Sequence, residues 1–312
     1  MQIERNKFQS IQLFYRIFIF GLMLFILDYL VGSGLSWIYK IQKNGVFYHT
    51  TYGLERTVAN ILIFGSSSAN HHYIPEIISN QLKMSVYNQG HDGINILYQW
   101  ALLKGILKRY KPKIILLNLT PNELSLQDNY DSLSVLSPYY KKHTEMRDII
   151  NLRSKFEPIK HLSAIYPYNS TILTMLPNLI SKKGVRSTNG YYPIYGSAKK
   201  MKIKMRNFKN NTNLDPFLIE ALDNFMKKCK QDDIALYLVF SPWFSFEIFE
   251  TATIIKVNEL ALKYKVPVYN FIKDPEFNGQ DDIYQDSGHL NHSGALMFSK
   301  RIAKEISISL RN

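Results

Sequence analysis

The stretch Ile61-Leu62-Ile63-Phe64-Gly65-Ser66-Ser67-Ser68 decides the fold of this 312-residue chain. An apolar run that ends in Gly-Ser-Ser is typical of a buried strand carrying a small nucleophile at its C-terminal tip. Further short apolar runs follow and alternate with helical patterns. This alternation predicts an α/β protein of flavodoxin-like topology, a three-layer α/β/α arrangement with about five parallel strands.

The predicted elements follow from apolar spacing and from capping residues. Strands are predicted at 61–64, 85–88, 114–119, 234–240 and 267–271, and helices at 75–83, 94–110, 217–230, 253–264 and 293–310. Asp215 is the predicted N-cap of the third of these helices, and Pro216 is its first residue. The interval 124–214, between strands three and four, is far longer than a usual crossover and predicts an insertion or lid.

Three further polar segments follow along the chain, two at the ends of predicted strands and the third just before the last predicted helix. They are Asn88-Gln89-Gly90-His91-Asp92-Gly93, Leu119-Thr120-Pro121-Asn122-Glu123 and Asp286-Ser287-Gly288-His289-Leu290-Asn291. Because parallel strands end at one edge of a sheet, we expect the four segments to meet there. Asp286 and His289 are three residues apart and fit one short turn. With Ser67 they provide the nucleophile, base and orienting carboxylate of an activated serine.

At this point the chain resembles a known family, the SGNH (GDSL-like) hydrolases. Gly65-Ser66-Ser67 matches the first of the family's four blocks, Gly93 the second, Thr120-Pro121-Asn122-Glu123 the third, and Asp286-x-x-His289 the last. The resemblance implies that Ser67, His289 and Asp286 are catalytic. It also implies an oxyanion hole formed by the backbone N–H groups of Ser67 and Gly93 and the side-chain amide of Asn122.

The first and third blocks each depart from the family pattern at one position. Ser66 stands where the family usually has Asp, and Glu123 stands where it usually has Asp. The Gly-Ser-Ser variant is similar to a membrane-anchored branch that serves cell-surface acylation, including D-alanyl transfer. Members of that branch transfer or hydrolyse acyl groups, so both reactions stay open.

The resemblance implies a membrane-anchored serine esterase or O-acyltransferase acting on acyl groups, acetyl first, of a cell-surface polysaccharide. It further implies an integral membrane acyltransferase as partner and a catalytic domain, residues 61–312, facing outside the cytoplasm. Two alternatives remain. One is a non-catalytic, glycan-binding scaffold with the same fold, and the other is a lipase or lysophospholipase, which would need a long apolar groove beside Ser67.

Positive charge is in excess: 38 Lys and Arg stand against 25 Asp and Glu, for a formal net charge of +13. This balance favours anionic partners such as lipid headgroups or acidic glycans, and in the absence of any nucleic-acid motif no nucleic-acid partner is predicted. From Lys182 to Lys209 the chain carries nine Lys or Arg and no acid. This run predicts either a solvated loop or a docking surface on which Tyr191, Tyr192 and Tyr195 stack against sugars.

The N-terminal segment 11–38 is almost entirely apolar, interrupted by Arg16 and Asp28. Its uninterrupted core, 17–27, has the length of a signal-peptide core, and 17–38 has about the length that spans a bilayer. A retained anchor over 1–38, followed by a connector at 39–60, is the favoured interpretation; a signal peptide and a buried soluble helix are the alternatives. Asp28 is expected to face a partner helix or to lie at the membrane interface. Flanking charges leave the orientation open.

Several other residues could be taken for functional ones, but a structural interpretation is favoured for most of them. His71, His72 and His91 lack acid or cysteine partners at ligand spacing and are interpreted as polar loop residues, so neither a metal nor another cofactor is predicted. Cys229, the only cysteine, is interpreted as a small residue of an amphipathic helix. Trp243 follows the fourth strand and is expected either to line the substrate pocket or to pack in the core.

Overall fold

A five-stranded parallel sheet forms the centre of the chain, in a computed structural model that describes residues 2–42, 45–175, 188–197, 213–244 and 251–311. The strands lie in the order β2-β1-β3-β4-β5, which is the flavodoxin-like order, and every neighbouring pair is parallel. The predicted fold class is therefore confirmed. The strands are β1 (Ile61–Phe64), β2 (Val86–Asn88), β3 (Ile114–Asn118), β4 (Ala235–Phe240) and β5 (Val268–Asn270).

The helices of the described residues lie before, between and after these strands. They are α1 (Gln2–Lys40), α2 (Gly45–Glu55), α3 (Ser67–His72), α4 (Pro75–Leu82), α5 (Ile96–Leu107), α6 (Arg147–Ile150), α7 (Glu157–Lys160), α8 (Pro216–Gln231), α9 (Ala252–Tyr264) and α10 (His292–Ser309). Short 3-10 turns occur at Asp131–Tyr139, Thr144–Met146, Asn151–Arg153, Tyr166–Tyr168 and Asp281–Ile283. The predicted helix ends agree with these bounds to within three residues. Asp215 caps α8 as predicted, since its carboxylate accepts from the N–H groups of Phe217 and Leu218.

Successive residues of β1 point to opposite faces of the sheet, and both faces are covered. Leu62 and Phe64 join a core cluster that includes residues of α5 and α8, whereas Ile61 and Ile63 join one that includes residues of α4 and α10. A strand that is buried on both faces reads as a continuous apolar run, which is why the strands could be located from sequence. Cys229 is buried in α8, as expected of a small helix residue.

The helix α1 is 39 residues long, and every residue from Phe8 to Leu27 is exposed. Its length and composition allow the segment Phe8–Lys40 to cross a membrane. Beyond Leu27 the helix turns one side to the protein, where Leu35 and Tyr39 are buried. The predicted connector 39–60 is helical in its middle, because α2 packs its buried Leu54 against the core. The division of the chain into domains stays a prediction.

Within the described residues, the hydrogen-bond partners of Asp28 belong to the same chain, and its position at the membrane interface stays a prediction. Its carboxylate accepts hydrogen bonds from the hydroxyl of Ser163, at 2.6 Å, and from the backbone N–H groups of Ala164 and Ile165, at 2.6 and 3.3 Å. These residues form a turn of the same chain, within the insertion. Asp28 therefore ties α1 to the insertion at the point where the fully exposed stretch ends.

The insertion leaves and rejoins the α/β domain at one place. Ser125 and Leu214 form an antiparallel bridge, and the N–H of Leu126 donates to the carbonyl of Asn213 at 3.0 Å. Most of the basic run predicted from Lys182 to Lys209 falls outside the described residues, which include only 188–197 of it. Its two proposed roles therefore stay predictions.

Candidate active site

A sharp turn after β1 presents Ser67 as the first residue of α3. Gly65 forms this turn with a φ of +145°, a conformation that residues with a Cβ avoid. A Cβ at this position would lie 2.6 Å from the carbonyl oxygen of Asn118 and 2.7 Å from the side chain of Ala69. The carbonyl of Gly65 accepts from the side-chain amide of Gln99 at 2.7 Å. The turn therefore requires glycine at position 65, and Ser67 is only partly buried at its tip.

Three side chains form a continuous chain of hydrogen bonds at this tip. Ser67 Oγ lies 2.7 Å from His289 Nε2, and His289 Nδ1 lies 2.9 Å from both carboxylate oxygens of Asp286. An ionised carboxylate only accepts, so Nδ1 carries the proton and Nε2 is left to accept from the serine hydroxyl. The three residues predicted from sequence are thus within direct hydrogen-bond reach of one another, in the arrangement that activates a serine.

Asp286 is held in place by the short turn that also carries His289. Its Oδ1 accepts from the N–H groups of Gly288, at 2.8 Å, and of His289, at 3.0 Å. Partial burial opposes ionisation, but the hydrogen bonds from His289 and Gly288 outweigh it and lower the pKa of Asp286 to about 2. The carboxylate is therefore charged at neutral pH and able to stabilise a protonated His289.

His72 supports this turn from inside the protein, and sequence reasoning missed it. His72 is fully buried and is the last residue of α3, whereas it was predicted to be a polar loop residue. His71 was predicted to be a loop residue as well, and it also belongs to α3. The N–H of Leu290 donates to His72 Nε2 at 3.0 Å, and His72 Nδ1 lies 3.0 Å from the hydroxyl of Ser241. Burial lowers the pKa of His72 well below its ordinary value, so the ring is neutral. His72 positions the residue that follows His289.

A second histidine–carboxylate pair stands beside the site. His71 Nε2 lies 3.2 Å from the carboxylate of Asp92, and its ring stands edge-on to that of His289 at 5.9 Å between centroids. Burial opposes its protonation, but Asp92 outweighs burial and raises the pKa of His71. Across the described parts of the chain, no three His, Cys, Asp or Glu side chains are grouped as metal ligands would be.

Two of the three residues predicted for the oxyanion hole line a cavity of about 270 Å³. Gly93 and Asn122 both lie on its wall, together with Ser66, the neighbour of Ser67. Gly93 has a φ of +72°, which favours glycine, and a Cβ there would meet no protein atom within 4 Å. The rest of the wall is mostly polar: Ile94, Asn95, Thr120, Glu123, Gln127, Asn129 and Ser132. The structure thus brings Gly93 and Asn122 to the serine side of the site, and their role stays a prediction.

Glu123 is a buried carboxyl on the wall of this cavity. Its Oε2 accepts from the hydroxyl of Thr120 at 2.9 Å and from its N–H at 3.3 Å. Burial outweighs these hydrogen bonds and raises the pKa of Glu123 to about 7. The sequence marked this position only as a departure from the family pattern, and no local signal revealed its burial.

We expect Glu123→Gln to remove a pH dependence of stability. Because the folded-state pKa of about 7 exceeds the ordinary 4.5, the native protein holds a proton that the unfolded chain loses between these values. The free energy of unfolding of the wild type should therefore fall by up to about 3 kcal/mol as pH rises through this window, and then level off. Denaturant unfolding in mild detergent at several pH values measures it. Glu276→Gln, at an exposed glutamate, is the control; equal pH slopes for Glu123→Gln and wild type would contradict the expectation.

The aromatic residues predicted to contact substrate take up different positions. Trp243 is buried in the core, and its ring lies against Gly288, where an added Cβ would be 3.0 Å from it. It supports the His289 turn from behind, and a role in lining the substrate pocket stays a prediction. Tyr191 is buried and its hydroxyl lies 2.9 Å from His292 Nδ1, so it offers no face to a sugar. Tyr195 is exposed.

The fold and site together define an α/β protein with a hydrogen-bonded serine, histidine and aspartate at the carboxyl edge of its sheet. No family model and no curated protein matches the chain. Among solved structures, a chain described as a lipolytic protein of the G-D-S-L family from Desulfitobacterium hafniense DCB-2 aligns with 78% of this chain and 98% of its own, at 8% identity and a TM-score of 0.39. A chain described as a platelet activating factor from Streptococcus pneumonia aligns with 89% and 98%, at 13% identity and a TM-score of 0.43. At these values neither likeness carries an argument on activity.

Proposed function

We propose that this protein is a membrane-anchored serine esterase or O-acyltransferase that acts on ester bonds through an acyl-serine intermediate. The observation that carries the proposal is the chain of hydrogen bonds from Ser67 through His289 to Asp286, at 2.7 and 2.9 Å. A non-catalytic scaffold does not require these three side chains to lie within hydrogen-bond distance of one another. The length and apolar composition of α1 support the anchoring.

The reaction follows from the positions of the protons. Ser67 Oγ attacks the carbonyl carbon of the ester while its proton passes to His289 Nε2. The bond between the acyl carbon and the alcohol oxygen then breaks, and the alcohol leaves with the proton from His289. In the second half, water or a sugar hydroxyl gives its proton to His289 and attacks the acyl carbon. The bond to Ser67 breaks, and Oγ recovers the proton.

Negative charge that develops on the carbonyl oxygen needs donors already in place. The backbone N–H groups of Ser67 and Gly93 and the side-chain amide of Asn122 are the proposed donors, and Gly93 and Asn122 share one cavity. In another serine enzyme, removal of one side-chain amide donor from the oxyanion hole costs about 2.7–4 kcal/mol of transition-state stabilisation. Asn122 suits this role because its amide donates without becoming charged.

The chemistry of the cavity favours a polar substrate. Its wall is formed mostly by amide, hydroxyl and carboxyl side chains, with Ile94 as the apolar exception among its lining residues. Such a wall suits a short acyl group on a sugar better than a long acyl chain, which disfavours the lipase alternative. The excess positive charge favours an acidic polysaccharide at the cell surface. We propose acetyl as the first acyl group to test, and an integral membrane acyltransferase as the donor in the transfer reaction.

Labelling with a fluorophosphonate probe tests the activated serine directly. We expect the purified full-length protein to be labelled, and Ser67→Ala and His289→Ala to lose the label, because the probe reacts with a serine whose proton is removed by a base. Ser66→Ala is the matched control: it removes the neighbouring hydroxyl, which makes no capping hydrogen bond to α3. Labelling that persists in Ser67→Ala, or its absence from folded wild-type protein, would overturn the proposal.

A further inference from the structure

Three large apolar side chains are exposed along one side of α7 and its flanking residues. Phe156, Ile159 and Leu162 are 52%, 64% and 75% exposed. The backbone between them is helical, since the N–H of Lys160 donates to the carbonyl of Phe156 at 2.9 Å and that of Leu162 to Ile159 at 3.0 Å. A spacing of three residues therefore places the three side chains on the same side. We refer to Phe156, Ile159 and Leu162 as the apolar patch.

The opposite side of this turn is bound firmly to the protein. Glu157 is fully buried, where its carboxylate pairs with Arg153 at 3.2 Å and accepts from the hydroxyl of Tyr166 at 2.9 Å. One turn further on, the ring of His161 stacks on that of Tyr140 at 3.8 Å between centroids. The apolar patch is thus held outwards by a buried ion pair and a ring stack. Contiguous exposed apolar side chains held in this way mark an interaction surface.

The patch lies next to the place where α1 meets the rest of the protein. Leu162 directly precedes Ser163 and Ala164, which bind the carboxylate of Asp28. The contact is close, because a Cβ on Gly32 would lie 2.4 Å from Ala164. The fully exposed stretch of α1 ends one residue before Asp28. Leu162, at one end of the apolar patch, therefore lies next to the point where this stretch ends.

This point coincides with the expected edge of a bilayer. The fully exposed stretch from Phe8 to Leu27 would be roughly 30 Å long as an α-helix, which is about the thickness of the hydrocarbon core. Asp28 would then lie at the membrane surface. One cation stands beside the patch: Lys155 lies over the ring of Phe156 at 5.1 Å, whereas Lys160 is paired with the buried Glu157 at 3.1 Å. A lysine beside an apolar face suits a surface of anionic headgroups.

We infer that the apolar patch is a second point of contact with the membrane that α1 crosses. Phe156, Ile159 and Leu162 enter the boundary between headgroups and acyl chains, and Lys155 contacts the headgroups. The occupant is lipid, because the patch continues the exposed apolar surface of α1 itself. Two points of contact fix the tilt of the α/β domain and hold its site at a constant height. The inference rests on the proposed membrane anchoring and not on catalysis.

Depth-dependent quenching of a fluorophore tests this contact in the full-length protein. Single cysteines at Leu162→Cys and Ile159→Cys would carry an environment-sensitive label in vesicles of phosphatidylcholine and phosphatidylglycerol with nitroxide-labelled lipid. Cys229 is buried, so unsubstituted protein reports the background. Leu262→Cys is the matched control, because Leu262 is a leucine of α9 that is 80% exposed. Phe18→Cys, within α1, reports whether the anchor is inserted.

We expect lipid nitroxides to quench the labels at positions 162 and 159 about threefold more than the label at 262, since interfacial apolar faces lie roughly 5–10 Å into the boundary region. The label at position 18 should be quenched as well. If position 18 is quenched while 162 and 159 behave like 262, the inference is overturned and the anchoring stands. If position 18 is not quenched either, the anchoring fails and the inference fails with it.

Discussion

Replacing Ser67 with alanine is expected to lower kcat for a small activated ester by about 10⁶-fold, to the level that the oxyanion hole and substrate binding provide without the nucleophile. His289→Ala should lower kcat by a similar factor. The hydroxyl of Ser67 and its base, which lie 2.7 Å apart, act together in the same proton transfer. The double variant should therefore be no slower than either single variant. Release of p-nitrophenol from its acetate measures this step. It reports acylation of Ser67, which hydrolysis and transfer share.

The control for this experiment lies one residue away. Ser66→Ala changes a hydroxyl on the cavity wall without touching the chain of hydrogen bonds to His289. It should keep most of the wild-type activity, and all variants should keep the thermal unfolding temperature of the wild type to within a few degrees. Additive losses in the double variant, or a loss in Ser66→Ala equal to that in Ser67→Ala, would contradict the assignment of Ser67.

Asp286→Asn is expected to lower kcat by about 10⁴-fold while leaving the turn intact. The amide oxygen can still accept from the N–H groups of Gly288 and His289, so the local backbone keeps its hydrogen bonds. The amide also has N–H donors that favour the tautomer of His289 with its proton on Nε2. That tautomer cannot accept the proton of Ser67.

The p-nitrophenyl acetate assay, run across neutral pH, measures this loss. Asp281→Asn is the matched control, since Asp281 is an exposed aspartate of the preceding 3-10 turn. A loss of less than about tenfold for Asp286→Asn would show that the carboxylate does not orient His289, because correct orientation is worth far more in serine enzymes.

Most of the sheet could be predicted from the sequence because its signals are local. Apolar runs mark the five strands, of which β1 to β4 are buried and the edge strand β5 is only partly so, and the pair Asp215 and Pro216 marks the start of α8. The three residues of the hydrogen-bonded chain were also found from sequence, since each lies in a short segment with its own pattern. Order along the chain and the common edge of a parallel sheet then predict that they meet.

Other features had no local signal. His72 and Glu123 are polar residues whose burial depends on segments far away along the chain, and only the folded structure reveals it. The middle of the predicted connector, α2, belongs to the core for the same reason. The exposed face of α7 would read from sequence as an ordinary amphipathic turn.

The sequence by itself determined the class of fold, the elements of the sheet and the residue types available for chemistry at its edge. Only the tertiary structure decided which side chains touch: Ser67 meets His289 across 222 positions, and Asp28 meets Ser163 across 135. The physical reason is that periodicity and capping act within a few residues. Contacts between distant segments depend instead on the packing of the whole chain, which no single stretch of sequence specifies.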